Sequence, residues 1–198
     1  MNLYIDSDLE WPEKGMRLRQ ATSFPEQQAA RFTMTTKNPV SLTLNLRIPY
    51  WVQGGSVKVN GTKVPAFASP SSYLSLNRTW KTGDEIELSL PMGLHIDRMP
   101  DDEAVQAVMY GPLVLAGRFD AVNKDMLYGD FEPRKNAEMK VPDILADPDQ
   151  PTAWIEQDPK QPLVFRAVGQ SRPMTLVPLY QVIKERYAVY WKVSKKSA

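Results

Sequence analysis

Prolines recur so often along this chain, 17 in 198 residues, that few intervals remain in which a long helix could propagate. A proline inside a helix removes a backbone donor and clashes with the preceding turn. The sequence is therefore confined to strands, turns and short helical pieces. Its clearest strand is Val40–Ile48, where Val40, Leu42, Leu44, Leu46 and Ile48 alternate with Ser41, Thr43, Asn45 and Arg47. A period of two places the first set on a core face and the second on a wet one.

Similar alternation marks residues 16–21, 31–36, 73–76 and 86–90, each bounded by turn-forming residues. In SVKVNGTKV the pair Asn60-Gly61 suits the positive φ values of a type I′ turn, folding Val57 and Val59 back on residues 62–64. Thr82-Gly83-Asp84 predicts a second turn before Ile86, Leu88 and Leu90 point inward. Strands are predicted again at 94–99, 105–110 and 113–119, with Asp101, Asp102 and Glu103 in an acidic turn and Gly111-Pro112 as a break. Alternation fades from 121 to 161, a stretch interrupted by five prolines and expected to be loop with one short helix near 122–128. It returns at 163–168, 174–179 and 187–193, where Tyr187, Val189, Trp191 and Val193 are expected on one buried face.

About a dozen short strands imply an all-β fold, an antiparallel β-sandwich of jelly-roll type, as one sandwich or two packed lobes. The expected organisation is a sandwich over 1–120, a loop-rich connector over 121–161, and C-terminal strands over 162–198 that complete the sandwich or form a second small lobe. No internal repeat is present.

Twenty-four basic residues against 23 acidic ones leave no net field for phosphate backbones or anionic lipid, so nucleic acid and membrane are not expected partners. No segment approaches the ~20 apolar residues of a spanning helix, and MNLYIDSDLEW lacks the layout of a signal peptide. Without cysteine there are no disulfides, thiolate metal sites or thiol nucleophiles.

Chemistry-bearing constellations are few. His95 is the single histidine, two residues from Asp97 on a predicted strand, and a surface histidine beside a solvated aspartate is the simpler account. The adjacent Asp101, Asp102 and Glu103 suit turn geometry better than the spaced carboxylate pair of a glycosidase. Asp143, Asp147, Asp149 and Asp158 lack the spacing of a calcium-binding loop. No catalytic, cofactor or metal residues are assigned. The better candidates are aromatic, because the C–H faces of sugar rings stack on flat side chains. Trp154, Trp51 and Trp80 lie in or near turns and loops, and Tyr190 falls opposite the expected buried face of Trp191, so these four are the candidate sugar contacts.

LRIPYWVQGGSVKVNGTKV, then SYLSLNRTWKTGDEIELSLPM, then AVMYGPLVLAG, flanked by NLYIDSDLEW and PLYQVIKERYAVYW, resembles the region that follows the catalytic barrel in glycoside hydrolase family 127, the β-L-arabinofuranosidase-like proteins. The resemblance implies a parent enzyme whose active site lies in an upstream (α/α)6 barrel, with a cysteine nucleophile and a zinc held by cysteines and a glutamate. None of these residues can be carried onto a chain without cysteine. Relatives often carry a histidine between the PLY and RY elements, where Val182, Ile183, Lys184 and Glu185 stand here.

The expected role is thus a non-catalytic accessory region with no cofactor of its own, partnered by the absent barrel and acting in the breakdown of plant-type glycans. Such a parent is expected in the periplasm or outside the cell, and Met1 followed at once by a strand suggests a chain cut where the barrel ended. The accessory role also predicts an exposed apolar patch. The alternatives are an independent carbohydrate-binding module, which predicts sugar affinity in the isolated chain, and a self-contained hydrolase, for which no acid, base and nucleophile can be assembled.

Overall fold

The computed structural model describes residues 1–121 and 141–195. Its contacts divide the chain into two compact units, Met1–Gly93 and Leu94–Ala198.

In the first unit the strands are β1 (Ser7–Trp11), β2 (Met16–Ala21), β3 (Ala29–Thr36), β4 (Val40–Ile48), β5 (Ser56–Val59), β6 (Thr62–Lys63), β7 (Ser72–Trp80) and β8 (Glu85–Ser89). Six form a sheet in the order β1-β2-β3-β8-β5-β6, while β4 and β7 pair with each other through nine residues, from Val40 opposite Trp80 to Ile48 opposite Ser72. Alternation decides what each sheet buries. Leu18, Phe32, Met34, Ile86 and Leu88 point inward from the larger sheet and join Leu46, Ile48, Leu74, Leu76 and Trp80 from the ribbon in one core. This is the expected sandwich, two antiparallel layers around a single apolar interior.

The predicted hairpin is present. Asn60 (φ 52°) and Gly61 (φ 77°) both take left-handed backbone, Val59 faces Thr62, and the Val64 N–H donates to the Val57 carbonyl at 2.8 Å. The side chain of Asn60 reaches further than the turn. Its Nδ2 donates to Asp84 Oδ1 and its Oδ1 accepts from the Glu85 N–H, each at 2.8 Å, so one residue ties the β5–β6 turn to the start of β8.

The second unit contains β9 (Leu94–Arg98), β10 (Val105–Tyr110), β11 (Leu113–Ala121), β12 (Ile144–Leu145), β13 (Ile155–Gln157), β14 (Phe165–Ala167), β15 (Met174–Pro178), β16 (Glu185–Ala188) and β17 (Tyr190–Ser194). Their sheet runs β12-β17-β10-β11-β15-β14-β13, with β9 also on β10 and β16 also on β11. Next to their turn, β10 and β11 pair only at Met109 with Val114 and at Tyr110 with Leu113. Beyond that point β16 lies antiparallel to β11 and β17 antiparallel to β10, so the last strands occupy the fork between the two.

That pairing corrects the expected organisation. The first sandwich ends at Gly93 and not near residue 120, because β9, β10 and β11 pair with one another and with the C-terminal strands. The expected connector, where described, contributes β12, a short 3-10 turn at Pro151–Ala153 and β13 to the same sheet. The helix expected near 122–128 lies outside the described residues. The single strand expected over 187–193 is broken at Val189, which leaves Tyr187 exposed while Trp191 and Val193 remain buried.

Candidate functional site

The four aromatic candidates meet different fates. Trp80 closes β7 inside the first core with no exposed surface, its indole N–H donating to the Leu42 carbonyl at 3.1 Å. Trp154 follows the 3-10 turn of the second unit and is 1% exposed. Neither ring offers a face to a sugar, which corrects the expectation drawn from their turn-proximal positions. Proximity to a turn does not set depth, because a large ring folds back over apolar neighbours wherever the chain allows it.

Trp51 is half-buried and stacks on Phe24, with ring centroids 6.0 Å apart and planes 16° from parallel. Tyr190 stays 52% exposed on β17 and is the one candidate with an open ring.

The acidic candidates serve the backbone. Asp102 Oδ1 accepts from the Ala104 N–H at 3.0 Å and shapes the turn before β10. Asp147 accepts from the Asp149 N–H at 3.0 Å, and Asp149 pairs with Arg98. Asp158, almost wholly buried, accepts from the N–H groups of Lys160 (2.8 Å) and Gln161 (3.2 Å) and pairs with Arg166. Those bonds hold its carboxyl below the usual carboxylate range, the Lys160 N–H being the main cause. His95 and Asp97 do share a face of β9, opposite Met109 and Ala107.

Among the described residues no three His, Cys, Asp or Glu side chains cluster as metal ligands. With no cysteine in the chain either, the residues present do not fit the zinc that the resemblance implies, and no chemistry is derived through it. Among the described residues no helix is long and apolar enough to cross a membrane.

The recess that sequence reasoning missed lies in the first unit. The outward side chains of β3, β8 and β5 form its floor, with Arg31, Glu87, Lys58, Ser56 and Ser89 in adjacent rows. Asp6, Thr22, Ser23 and Gln27 form a wall, and the groove encloses about 680 Å³. Small side chains at Ala21 and Ala29 leave the space open. Arg31 bridges Glu85 and Glu87, the latter at 3.0 Å, and Lys58 Nζ lies 3.7 Å from the other oxygen of Glu87. The wall is pinned in turn, the Thr22 N–H donating to Asp6 Oδ1 and the Thr22 hydroxyl to the Ala29 carbonyl, both at 2.7 Å. Each of these residues reads as ordinary wet-face polarity in sequence. They meet only because β8 pairs with both β3 and β5, an adjacency that skips across the chain.

The first unit is an antiparallel sandwich and the second an all-β unit built on its own sheet. The comparisons give each a family. Residues 1–92 match the family model described as "Beta-L-arabinofuranosidase, GH127 middle domain", and residues 95–193 match one described as a domain of unknown function, so the two matches tile the chain and meet where its contacts divide it. The first unit is thus a GH127 middle domain, and the second belongs to the family of unknown function.

Three solved structures share the fold at 21% identity. One is titled a glycoside hydrolase (TM-score 0.64, covering 95% of this chain). Another is Ara127N-Se, a GH127 β-L-arabinofuranosidase from Geobacillus stearothermophilus T6 (TM-score 0.65, 97%). A third is the GH127 β-arabinofuranosidase BT3674 (TM-score 0.61, 96%). The chain spans only about a third of each, 34%, 33% and 33% in turn. No curated protein matches.

Proposed function

We propose that this chain is the non-catalytic β-sandwich region of a β-L-arabinofuranosidase-type glycoside hydrolase, and that it supports a helical catalytic barrel encoded with it. The observation that carries the reading is the pair of coverages: nearly all of this chain superposes on a third of much longer chains titled arabinofuranosidases. Exposed apolar side chains support it. Leu3 and Ile5 in the first unit are 64% and 60% exposed, and Ile183 in the second is 80% exposed, a cost that a docked neighbour would relieve. The substrates would be arabinofuranosides of plant-type glycans, and a parent acting on such polymers would work in the periplasm or outside the cell.

The test compares this chain alone with the longer polypeptide encoded by its gene, on an aryl β-L-arabinofuranoside. The longer polypeptide should hydrolyse it, and deletion of this region should lower both activity and melting temperature. Turnover by the chain alone, or an unaffected barrel after deletion, would refute the reading. A second reading, a carbohydrate-binding module, is favoured by one observation, the polar groove on β3, β8 and β5.

A further inference from the structure

The groove of the first unit has three properties that together select a class of ligand. Its volume, about 680 Å³, falls within the roughly 300–1,000 Å³ of small-molecule sites. Its formal charges cancel, Asp6 and Glu87 against Arg31 and Lys58, so it presents no net field to an anion or a cation. Its surface alternates charged donors and acceptors with hydroxyl and amide groups, from Ser23, Gln27, Ser56 and Ser89.

Those groups differ in how far they are already engaged. Arg31 and Lys58 each pair with Glu87 on the exposed sheet surface, so these charges are already partnered before any ligand arrives. The side chains of Ser23, Gln27, Ser56 and Ser89 form no hydrogen bond among the described residues. A charge-paired floor beside uncommitted hydroxyls and an amide suits vicinal hydroxyls, each of which donates and accepts at once. A carboxylated or aminated ligand would have to displace one of the internal pairs.

From this we propose that the β3–β8–β5 groove is a binding site for a neutral, hydroxyl-rich segment of glycan, bound through Arg31, Glu87, Lys58 and the adjoining serines. The inference rests on the glycoside-hydrolase reading for its choice of ligand. It adds a site, since a region that merely props up a barrel needs no sugar contact of its own. Binding here would hold the polymer to the protein away from the reacting bond, raising the local concentration of substrate.

The experiment is an NMR titration of the full chain with a short neutral L-arabino-oligosaccharide, with an oligogalacturonate and a chitosan oligomer as anionic and cationic controls. The neutral oligomer should shift the amides of residues 22–31, 56–58 and 87–89 with millimolar affinity, at least about tenfold tighter than either control. Glu87→Gln should weaken binding about tenfold or more. Because that change also breaks two ion pairs, Ser56→Tyr provides a second variant that fills the groove and leaves them intact, and it should abolish the shifts. Absence of shifts at about 10 mM neutral oligomer, equal binding of the charged controls, or unchanged binding by Ser56→Tyr would overturn the proposal. A chain that binds no sugar yet still stabilises its barrel would remove this site and leave the accessory role standing, whereas sugar binding without any effect on a barrel would do the reverse.

Discussion

Gly117 lies beneath the indole of Trp191, so close that a Cβ at 117 would fall 2.3 Å from Cη2 and 2.6 Å from Cζ2 of the ring. The glycine occupies the point of β11 that pairs with Leu176 on one side and Ala188 on the other. The fully buried Trp191 therefore packs directly against bare backbone. Gly117→Ala should destabilise the second unit by about 1–3 kcal/mol through overpacking. Denaturant unfolding followed by tryptophan fluorescence measures it. Trp191→Phe made in the Gly117→Ala background should recover part of the loss, a coupling that two independent sites would not show.

Asn60 is held by two separate demands, a left-handed backbone (φ 52°) and a side chain that bonds both Asp84 and the Glu85 N–H. Gly61 carries only the first, with nothing within 4 Å of where its Cβ would sit. Gly61→Ala should accordingly cost about 1 kcal/mol from backbone strain alone. Asn60→Ala should cost more, about 2 kcal/mol, because the solvent-exposed clamp to Asp84 and the Glu85 N–H is lost as well. Equal losses in the two variants would show that the clamp to β8 contributes nothing.

The hairpin was legible because its signal is local: two residues with tolerance for positive φ between alternating valines. The strands β2, β3 and β4 were legible for the same kind of reason, an apolar period of two. What could not be read was which strand lies beside which. Leu94 to Val108 looks like more of the first sandwich until β10 is seen to pair with β17, some 80 positions along the chain. The bend at Val189, which turns one expected strand into β16 and β17, follows from the fork between β10 and β11 and from nothing in its own sequence. The aromatic candidates failed on depth, since residues such as Trp154 sit in irregular chain yet fold inward. The polar groove was invisible because Arg31, Lys58 and Glu87 become neighbours only through non-local pairing.

Asp158 makes the second unit sensitive to acid. Its carboxyl is lowered from the ordinary value of 3.8, first by the Lys160 N–H, against the opposing effect of desolvation, with the Arg166 charge and the Gln161 N–H adding to the lowering. A group whose folded value lies below its unfolded one contributes stability above the unfolded value and loses it as pH falls through the folded one. Melting temperature should thus be insensitive to this residue between about pH 7 and pH 5 and fall below about pH 4. Asp158→Asn retains an acceptor for the two N–H groups but loses the charge opposite Arg166. It should melt lower than the parent near neutrality and show a smaller drop on acidification, and an identical acid profile in the two proteins would refute the assignment.

Burial also separates the five tryptophans in a way a collisional quencher can read. Trp80, Trp154 and Trp191 are at most 1% exposed, Trp51 is half-buried against Phe24, and Trp11 is 42% exposed on the edge strand β1, with the Lys14 ammonium 5.8 Å from its ring centroid. Trp11 should therefore account for most of the emission that iodide can reach, the nearby ammonium drawing the anion toward it. Trp11→Phe should remove the larger part of the quenchable intensity, and Trp51→Phe a smaller part. Trp154→Phe should change total emission while leaving the quenchable fraction as it was. A fall in that fraction on replacing Trp154 would return its ring to the surface and restore it as a sugar contact, against the buried position it holds beside Ile155.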